Sequence, residues 1–219
     1  MDGDIRKIPT HEVTYARLRD MILFGHLEPG SAVTIQGLVA DLGAGMTPVR
    51  EAIRRLAAEG ALEAQGNRRV VVPKMTDSIL EQVAFARLTI EPKLAEMAAA
   101  HLDAALIDRL QDIDNRVDRA IRAGNVSAYL EANHAFHFCL YEASAAPVLV
   151  DMARSMWLRF GPALRVVCAR FGRDALPDRH IEALAAMRAA DAVALRDALE
   201  RDIAQGIEQV KIALSQGEI

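Results

Sequence analysis

This chain carries the sequence Leu38-Val-Ala-Asp-Leu-Gly-Ala-Gly-Met-Thr-Pro-Val-Arg-Glu-Ala-Ile-Arg-Arg-Leu-Ala-Ala-Glu-Gly60, and that stretch decides its fold. It predicts two short helices joined by a turn, because Gly43 suits the left-handed conformation that ends a helix. Thr47 is expected as the N-cap of the second helix, with Pro48 at its first position. Since Gly60 would end that second helix, the stretch predicts a helix-turn-helix.

The second predicted helix has an apolar face and a basic face. The apolar residues that recur at helical spacing, and that we expect in the core, are Val49, Ile53, Leu56 and Ala57. Arg50 and Arg54 lie four residues apart on the adjoining solvent face. We expect both to contact DNA, because the face is positive and a helix of this size fits a major groove.

The next residues predict a two-stranded ribbon, with strands at Ala61-Leu-Glu-Ala-Gln65 and Val70-Val-Val-Pro73. The turn between the strands consists of Gly66, Asn67, Arg68 and Arg69. The first two tolerate the positive φ of a tight turn, and the two arginines lie where a wing would meet phosphate or a minor groove. With a further helix expected at 11–24, residues 1–75 are predicted to form a winged helix-turn-helix domain that binds DNA.

The charge of the chain is unevenly divided. The net charge is −4, but residues 1–75 carry ten Lys/Arg against nine Asp/Glu, whereas residues 76–219 carry sixteen against twenty-one. The acidic excess therefore lies in the second part, where it does not oppose the approach of DNA to the first. DNA binding would then depend on where the arginines lie rather than on total charge.

From Thr76 onward the chain reads as a series of helix-length amphipathic blocks without a strand pattern. The expected helices span 77–101, 103–123, 126–143, 147–171, 178–189 and 191–214. The candidate N-caps are Asp103, Asn125 and Asp191. Pro92 and Pro162 fall inside two blocks and are expected to kink or split them. Residues 76–219 are therefore predicted to form an all-α helical bundle, which makes the chain mainly α.

Two classes of protein are not expected. The chain lacks an apolar run of about 18 residues and an N-terminal apolar segment, so a cytoplasmic protein with no membrane partner is predicted. It also lacks a nucleophile with a nearby base or a phosphate-binding glycine loop, so an enzyme is not predicted. A helical-bundle metalloenzyme is the alternative of another class, but Glu131 and His134 form a single Glu-x-x-His spacing where di-iron sites need two.

Four polar residues of the second part suggest a metal site. Asn133 and His137 lie four residues apart and project from one face of a helix, while His180 and Asp202 lie on two later helices that could close around the same space. An amide oxygen, two imidazoles and a carboxylate suit a divalent metal such as Zn, Ni or Mn. The alternative is that these histidines are exposed to solvent or held by local hydrogen bonds.

The first part of the chain resembles the GntR family of bacterial transcription regulators. The matching segments are Gly25-His-Leu-Glu-Pro-Gly30, Leu38-Val-Ala-Asp-Leu-Gly43, Thr47-Pro-Val-Arg-Glu-Ala-Ile53 and Leu56-Ala-Ala-Glu-Gly60. The resemblance implies that operator DNA is contacted by the wing tip and by Gly45, Met46, Thr47 and Arg50. Where the family usually has Ser-Arg this chain has Gly45-Met46, and Gln36 stands where an arginine is frequent. The preferred DNA sequence is therefore expected to differ from that of typical relatives.

The second part resembles FCD, the helical effector domain of the FadR subfamily. The matching segments are Arg87-Leu-Thr-Ile-Glu91, Asn133-His-Ala-Phe-His137 and Arg179-His180. The resemblance implies a metal held by Asn133, His137 and His180. The last metal-binding histidine of the family falls at Asp202, which departs from the pattern but keeps an oxygen ligand.

The same resemblance implies an effector, a small organic acid whose carboxylate is held by Arg87. The alternative for Arg87 is a salt bridge to Glu91 or to another helix. The chain is therefore predicted to be a ligand-responsive transcription regulator, expected to act as a repressor and to bind a two-fold symmetric operator as a homodimer. A metal-free regulator that binds an acyl thioester or another apolar ligand is the alternative within this class.

Overall fold

The computed structural model describes residues 10–66, 68–171, 179–217 and 219 of the chain. It divides the chain into two compact units, Met1–Lys74 and Met75–Ile219, and each is described by itself below. No helix in these described ranges is both long and apolar enough to cross a lipid bilayer.

The N-terminal unit combines three helices with a small antiparallel sheet. In chain order the elements are α1 (Thr10–Leu23), β1 (Ala32–Thr34), α2 (Ile35–Leu42), α3 (Met46–Ala58), β2 (Glu63–Gln65) and β3 (Arg69–Val71). The core between the helices is built from the fully buried side chains of Leu18, Ile22, Leu38, Val49 and Leu56. Val49 and Leu56 are two of the core positions that the sequence predicts for α3. A third, Ile53, is also buried, whereas Ala57 is only half-buried.

The turn of the helix-turn-helix lies where the sequence predicts it, but α3 begins earlier than expected. Gly43 ends α2 with a φ of 59°, the left-handed conformation that favours glycine. The expected N-cap at Thr47 is wrong, because Gly45 takes that position in an extended conformation and its carbonyl accepts from the Val49 N–H at 3.3 Å. Thr47 and Pro48 lie within the first turn, where the missing N–H of proline costs no helical hydrogen bond.

The predicted wing is present and has a third strand. β2 and β3 pair antiparallel, with Gln65 opposite Arg69, and Gly66 has a φ of 66° at the turn. Asn67 lies outside the described residues. The strand that the sequence analysis missed is β1, which pairs along the other edge of β3. Its three residues are too few to show a periodic pattern.

The regular secondary structure described in the C-terminal unit is entirely helical. The helices are α4 (Asp77–Ala98), extended by a 3₁₀ turn (Ala99–His101), then α5 (Ala104–Arg122), α6 (Val126–Glu142), α7 (Pro147–Phe171), α8 (Arg179–Arg188) and α9 (Ala192–Ser215). The three predicted N-caps are confirmed, since the side chains of Asp103, Asn125 and Asp191 each accept a backbone N–H three residues ahead. The predicted fold class, a winged helix-turn-helix followed by an all-α domain, is confirmed.

The two internal prolines do not split their helices. α4 continues through Pro92 and α7 continues through Pro162, so of the two expected effects, a kink or a split, the split does not occur. In α4 the turns on both sides of Pro92 are held by packing, since Glu91, Leu94 and Ala95 are fully buried. Tertiary packing therefore compensates for the helical hydrogen bond that proline removes.

The helices of this unit enclose a polar interior. α4 packs against α6, α7 and α9, while α8 packs against α5 and α9. Charged or polar side chains are buried where these helices meet, and they are Arg87, Glu91, Asp114, Asn133, His137 and His180. Because buried polar groups are costly unless they bind a partner, this interior is the candidate ligand site of the domain.

Candidate functional sites

The exposed face of α3 is the candidate DNA-binding surface. Arg50 and Arg54 are both exposed on it, and neither forms an ion pair within the described part of the chain. Gly45, Met46 and Thr47 are also exposed at the start of the helix. The surface that the sequence predicts is therefore accessible, and its contacts with DNA stay a prediction.

Arg55, next to Arg54, has a structural role instead. Its guanidinium carbon lies 3.7 Å from the centre of the Tyr15 ring, and its nitrogen atoms lie 3.4 Å from carboxylate oxygens of Glu12 and Glu59. Tyr15 in turn donates a hydrogen bond of 2.9 Å to Glu59. Arg55 thus ties α3 to α1, which separates its role from that of Arg54 one residue earlier.

The wing presents two further arginines to solvent. Arg68 and Arg69 are exposed, and the backbone carbonyl of Arg68 accepts from the Ile35 N–H at 3.0 Å. That bond joins the turn of the wing to the first residue of α2. The two exposed side chains therefore lie on a turn whose backbone is fixed by a hydrogen bond, as contact with a DNA backbone would require.

Three residues from three helices converge in the C-terminal unit. His137 of α6, His180 of α8 and Asp202 of α9 each offer a ligand atom, and these atoms all lie within 4.8 Å of one another. His137 Nε2 is 3.2 Å from Asp202 Oδ2. The side chains of both histidines are almost fully buried, and that of Asp202 is 11% exposed. The structure thus brings together three of the four residues predicted as metal ligands.

The fourth predicted ligand, Asn133, is buried one helical turn before His137. His134 projects differently, because its ring stacks on Phe138 with centres 4.3 Å apart and meets the edge of Trp157. Among the described residues, His134 is not one of those whose ligand atoms converge.

The environment of His137 suits a metal ligand. Burial lowers the pKa of its imidazole below the ordinary value, and the nearby Asp202 carboxylate only partly opposes that effect. A neutral ring is the form that binds metal ions. Two imidazoles and a carboxylate also match the ligand chemistry of Zn, Ni or Mn, so the residues present fit such an ion.

Beside this cluster lies a buried ion pair. Arg87 Nε is 2.6 Å from Glu91 Oε1, and Arg87 Nη2 is 3.2 Å from Glu91 Oε2. The guanidinium lies over the rings of Trp157 and Phe160, at 4.6 and 4.4 Å from their centres. Burial favours loss of the Arg87 charge, but Glu91 outweighs it and the net shift raises the pKa. The salt bridge expected as the alternative is formed, while effector binding by Arg87 stays a prediction.

Glu91 is shared by three helices. Besides Arg87 on its own helix, it accepts hydrogen bonds at Oε2 from Tyr141 Oη at 2.8 Å and from Trp157 Nε1 at 3.0 Å. Tyr141 Oη is also 2.9 Å from His137 Nδ1, which joins the ion pair to the histidine cluster. Burial and the neighbouring Glu91 raise the pKa of Tyr141 well above its ordinary value, so its hydroxyl keeps its proton.

Tyr141, Trp157 and Asp114 contact the candidate site although the sequence-based predictions do not include them. Asp114 Oδ1 lies 2.9 Å from His180 Nδ1, across 66 positions of sequence. Tyr141 follows His137 by one helical turn, and that spacing is a signal that could have revealed it. The roles of Asp114 and Trp157 depend on the packing of separate helices, which no local spacing encodes.

The Glu91→Gln substitution is expected to destabilise the helical domain by about 3–5 kcal/mol, because it leaves the charge of Arg87 buried without a counterion. Urea unfolding followed by fluorescence will measure this, since Trp157 is the single tryptophan and contacts Glu91. The matched control on α4 is Glu96→Gln, a half-buried residue paired with the exposed Lys93, which should leave the transition unchanged. Equal midpoints for the two variants would contradict the assigned role of Glu91.

Both units match known protein families. Residues 10–72 match the model of bacterial regulatory proteins of the gntR family, and residues 82–205 match the model of the FCD domain. The HTH-type transcriptional regulator McbR of Escherichia coli K12 is 28% identical over 194 residues, which cover 87% of each chain. The HTH-type transcriptional repressor RspR of the same strain is 22% identical over 212 residues, covering 95% of this chain and 90% of RspR.

Solved structures share the fold. The structure of E. coli McbR/YncC superimposes with a TM-score of 0.86 at 24% identity, covering 97% of this chain and 100% of the other. A GntR-type putative regulator from Rhodococcus sp. RHA1 gives a TM-score of 0.75 at 22% identity, covering 93% and 98% of the two chains. The arrangement of a winged helix-turn-helix before a helical domain is thus one that these regulators also have.

Proposed function

The chain belongs to the gntR family of bacterial regulatory proteins and carries an FCD domain, and from this premise we propose a repressor that a small carboxylate releases from its operator. Family membership makes the chain a DNA-binding transcription regulator rather than an enzyme. The observation that carries the effector part of the proposal is the convergence of His137, His180 and Asp202 within the helical domain.

DNA recognition is assigned to α3 and the wing. The exposed arginines Arg50 and Arg54 would lie in a major groove, with Gly45, Met46 and Thr47 at the end of the helix nearest the bases. Arg68 and Arg69, together with Gly66 and Asn67, would meet the DNA backbone or the adjoining minor groove. Two copies of the chain would read the two halves of a symmetric operator, with half-site centres about 34 Å apart or closer.

The Arg50→Ala substitution should lower operator affinity by about 1–3 kcal/mol at each half-site, because one charged base contact is lost there. The native protein first selects operator DNA from a random pool. The affinity of each variant for the labelled operator is then measured by fluorescence anisotropy. The control is Arg122→Ala, which removes an exposed arginine of α5 in the other unit and should leave affinity unchanged. Native affinity in the Arg50→Ala variant would defeat the assignment of α3 as the recognition helix.

A divalent ion of the Zn, Ni or Mn kind would be held by His137, His180 and Asp202, with Asn133 as the proposed fourth ligand. Such an ion would supply Lewis acidity at the centre of the domain. Two neutral imidazoles, one amide and one carboxylate would leave a net charge of about +1 on a divalent ion. The site would therefore attract an anion, which supports a carboxylate as the effector group.

Arg87 is the second proposed effector contact. Its Nε and Nη2 atoms are engaged by Glu91, so a contact with an effector carboxylate would come from Nη1. The guanidinium is fixed by its ion pair and by two aromatic rings, which would lower the entropy cost of binding a ligand there.

The effector would act by binding more tightly to the state that does not bind DNA. Linkage then requires that operator DNA lower the affinity for effector by the same factor. In a homodimer, the two DNA-binding domains would change their mutual orientation, with residues 73–76 as the connecting segment. This accounts for repression that a ligand relieves, and it requires no contact between effector and DNA.

The double substitution His137→Ala, His180→Ala should remove bound metal and the response to effector, because two of the three converging ligands are lost. Elemental mass spectrometry of protein supplied with Zn, Ni and Mn should find about one ion per chain in the native protein. The matched control is His26→Ala, His101→Ala, which removes two exposed histidines and should keep the ion. Equal metal content in both double variants would place the metal elsewhere. A native protein that takes up none of these ions would favour a metal-free ligand such as an acyl thioester.

A further inference from the structure

The two histidines of the cluster are held in the same way. In each ring the Nδ1 atom lies 2.9 Å from an oxygen, Tyr141 Oη for His137 and Asp114 Oδ1 for His180. These oxygens come from different helices, α6 and α5. Both rings therefore have Nδ1 engaged, so Nε2 is the nitrogen that each would offer to an ion.

The direction of the hydrogen bond between Tyr141 and His137 follows from Glu91. Arg87 and Trp157 can only donate, and with Tyr141 they direct four hydrogen bonds at the fully buried Glu91 side chain. The adjacent guanidinium stabilises Glu91 as a carboxylate, which has no proton to give. Tyr141 therefore donates its single proton to Glu91, and its oxygen accepts from the Nδ1–H of His137.

The hydrogen bond of His180 also has a defined direction. A carboxylate such as Asp114 can only accept, so the Nδ1 atom of His180 carries the proton of their hydrogen bond. In a neutral imidazole with the proton on Nδ1, the lone pair is on Nε2. Both histidines then present lone pairs to the space that they share with Asp202.

The Nε2 side of His137 faces the third proposed ligand. His137 Nε2 and Asp202 Oδ2 are 3.2 Å apart, and the ligand atoms of His137, His180 and Asp202 all lie within 4.8 Å of one another. One cation could therefore bind all three, with Nδ1 of each imidazole still engaged by its own oxygen.

We infer that Glu91, acting through Tyr141, and Asp114 are positioning residues that fix the Nδ1–H tautomers of His137 and His180 and so direct both Nε2 atoms at one divalent ion. The inference rests on the proposed metal site and adds the residues that orient its two histidine ligands. Outer partners of this kind orient the ring and strengthen it as a ligand. They also explain why a glutamate, a tyrosine and an aspartate are buried around the cluster.

Zinc titrations of the full-length protein against a chromophoric chelator test the inference. Tyr141→Phe and Asp114→Ala should each weaken zinc binding about 10- to 100-fold, since each leaves one Nδ1 without its partner. Asp114→Asn should recover part of the loss, because the amide oxygen still accepts from His180. The controls are Tyr15→Phe, which removes a similar hydroxyl–glutamate bond in the other unit, and Asp118→Ala, one turn further along α5. Native affinity in Tyr141→Phe and Asp114→Ala would overturn the inference.

A second measurement uses only the native protein, so it does not depend on whether the variants fold. Nitrogen-15 NMR of histidine-labelled, zinc-loaded native protein should show two rings bound through Nε2 with the proton on Nδ1. Zinc bound through Nδ1 would overturn the inference while leaving the proposed metal site intact. A native protein that takes up no zinc would overturn both, so the two failures are distinguishable.

Discussion

The buried carboxylate of Glu91 is the group on which the helical domain depends. It binds Arg87 within α4, Tyr141 of α6 and Trp157 of α7, and so connects three helices at one point. A charge in this position is tolerated because every contact supplies a donor, and because Arg87 neutralises it. From Glu91 the chain of hydrogen bonds continues through Tyr141 to His137, so one ion pair determines the orientation of a candidate metal ligand.

The ion pair between Arg87 and Glu91 limits which atoms of Arg87 could bind an effector. An arginine beside a candidate metal site suggests a direct contact with the effector, but here Glu91 already occupies two of the guanidinium nitrogens. The positive charge that attracts a carboxylate would then come mainly from the proposed metal ion. Asp202 supports this arrangement, since one carboxylate among neutral ligands would leave the ion with a net positive charge.

Much of the fold could be predicted because its signals are local. Gly43, Asp103 and Asn125 mark helix ends through their own conformation or side chain, and each lies where the sequence predicts. The early start of α3 and the strand β1 were missed, because extended glycine and a three-residue strand leave no periodic pattern. At the site, helical spacing predicts that Asn133 and His137 share one face, and the resemblance to the FCD domain adds His180. The partners Asp114 and Trp157 arise from packing between helices distant in sequence.

X-ray absorption spectroscopy of the zinc-loaded, full-length protein tests the central claim most directly. With Asp202 in place of a third histidine, the spectrum should show two imidazoles per zinc, at about 2.0–2.1 Å, and oxygen atoms in the remaining positions. Three imidazoles would mean that a histidine outside the His137 and His180 pair binds the ion, and a sulfur at about 2.3 Å would mean a thiolate ligand. Either result would contradict a site built from His137, His180 and Asp202.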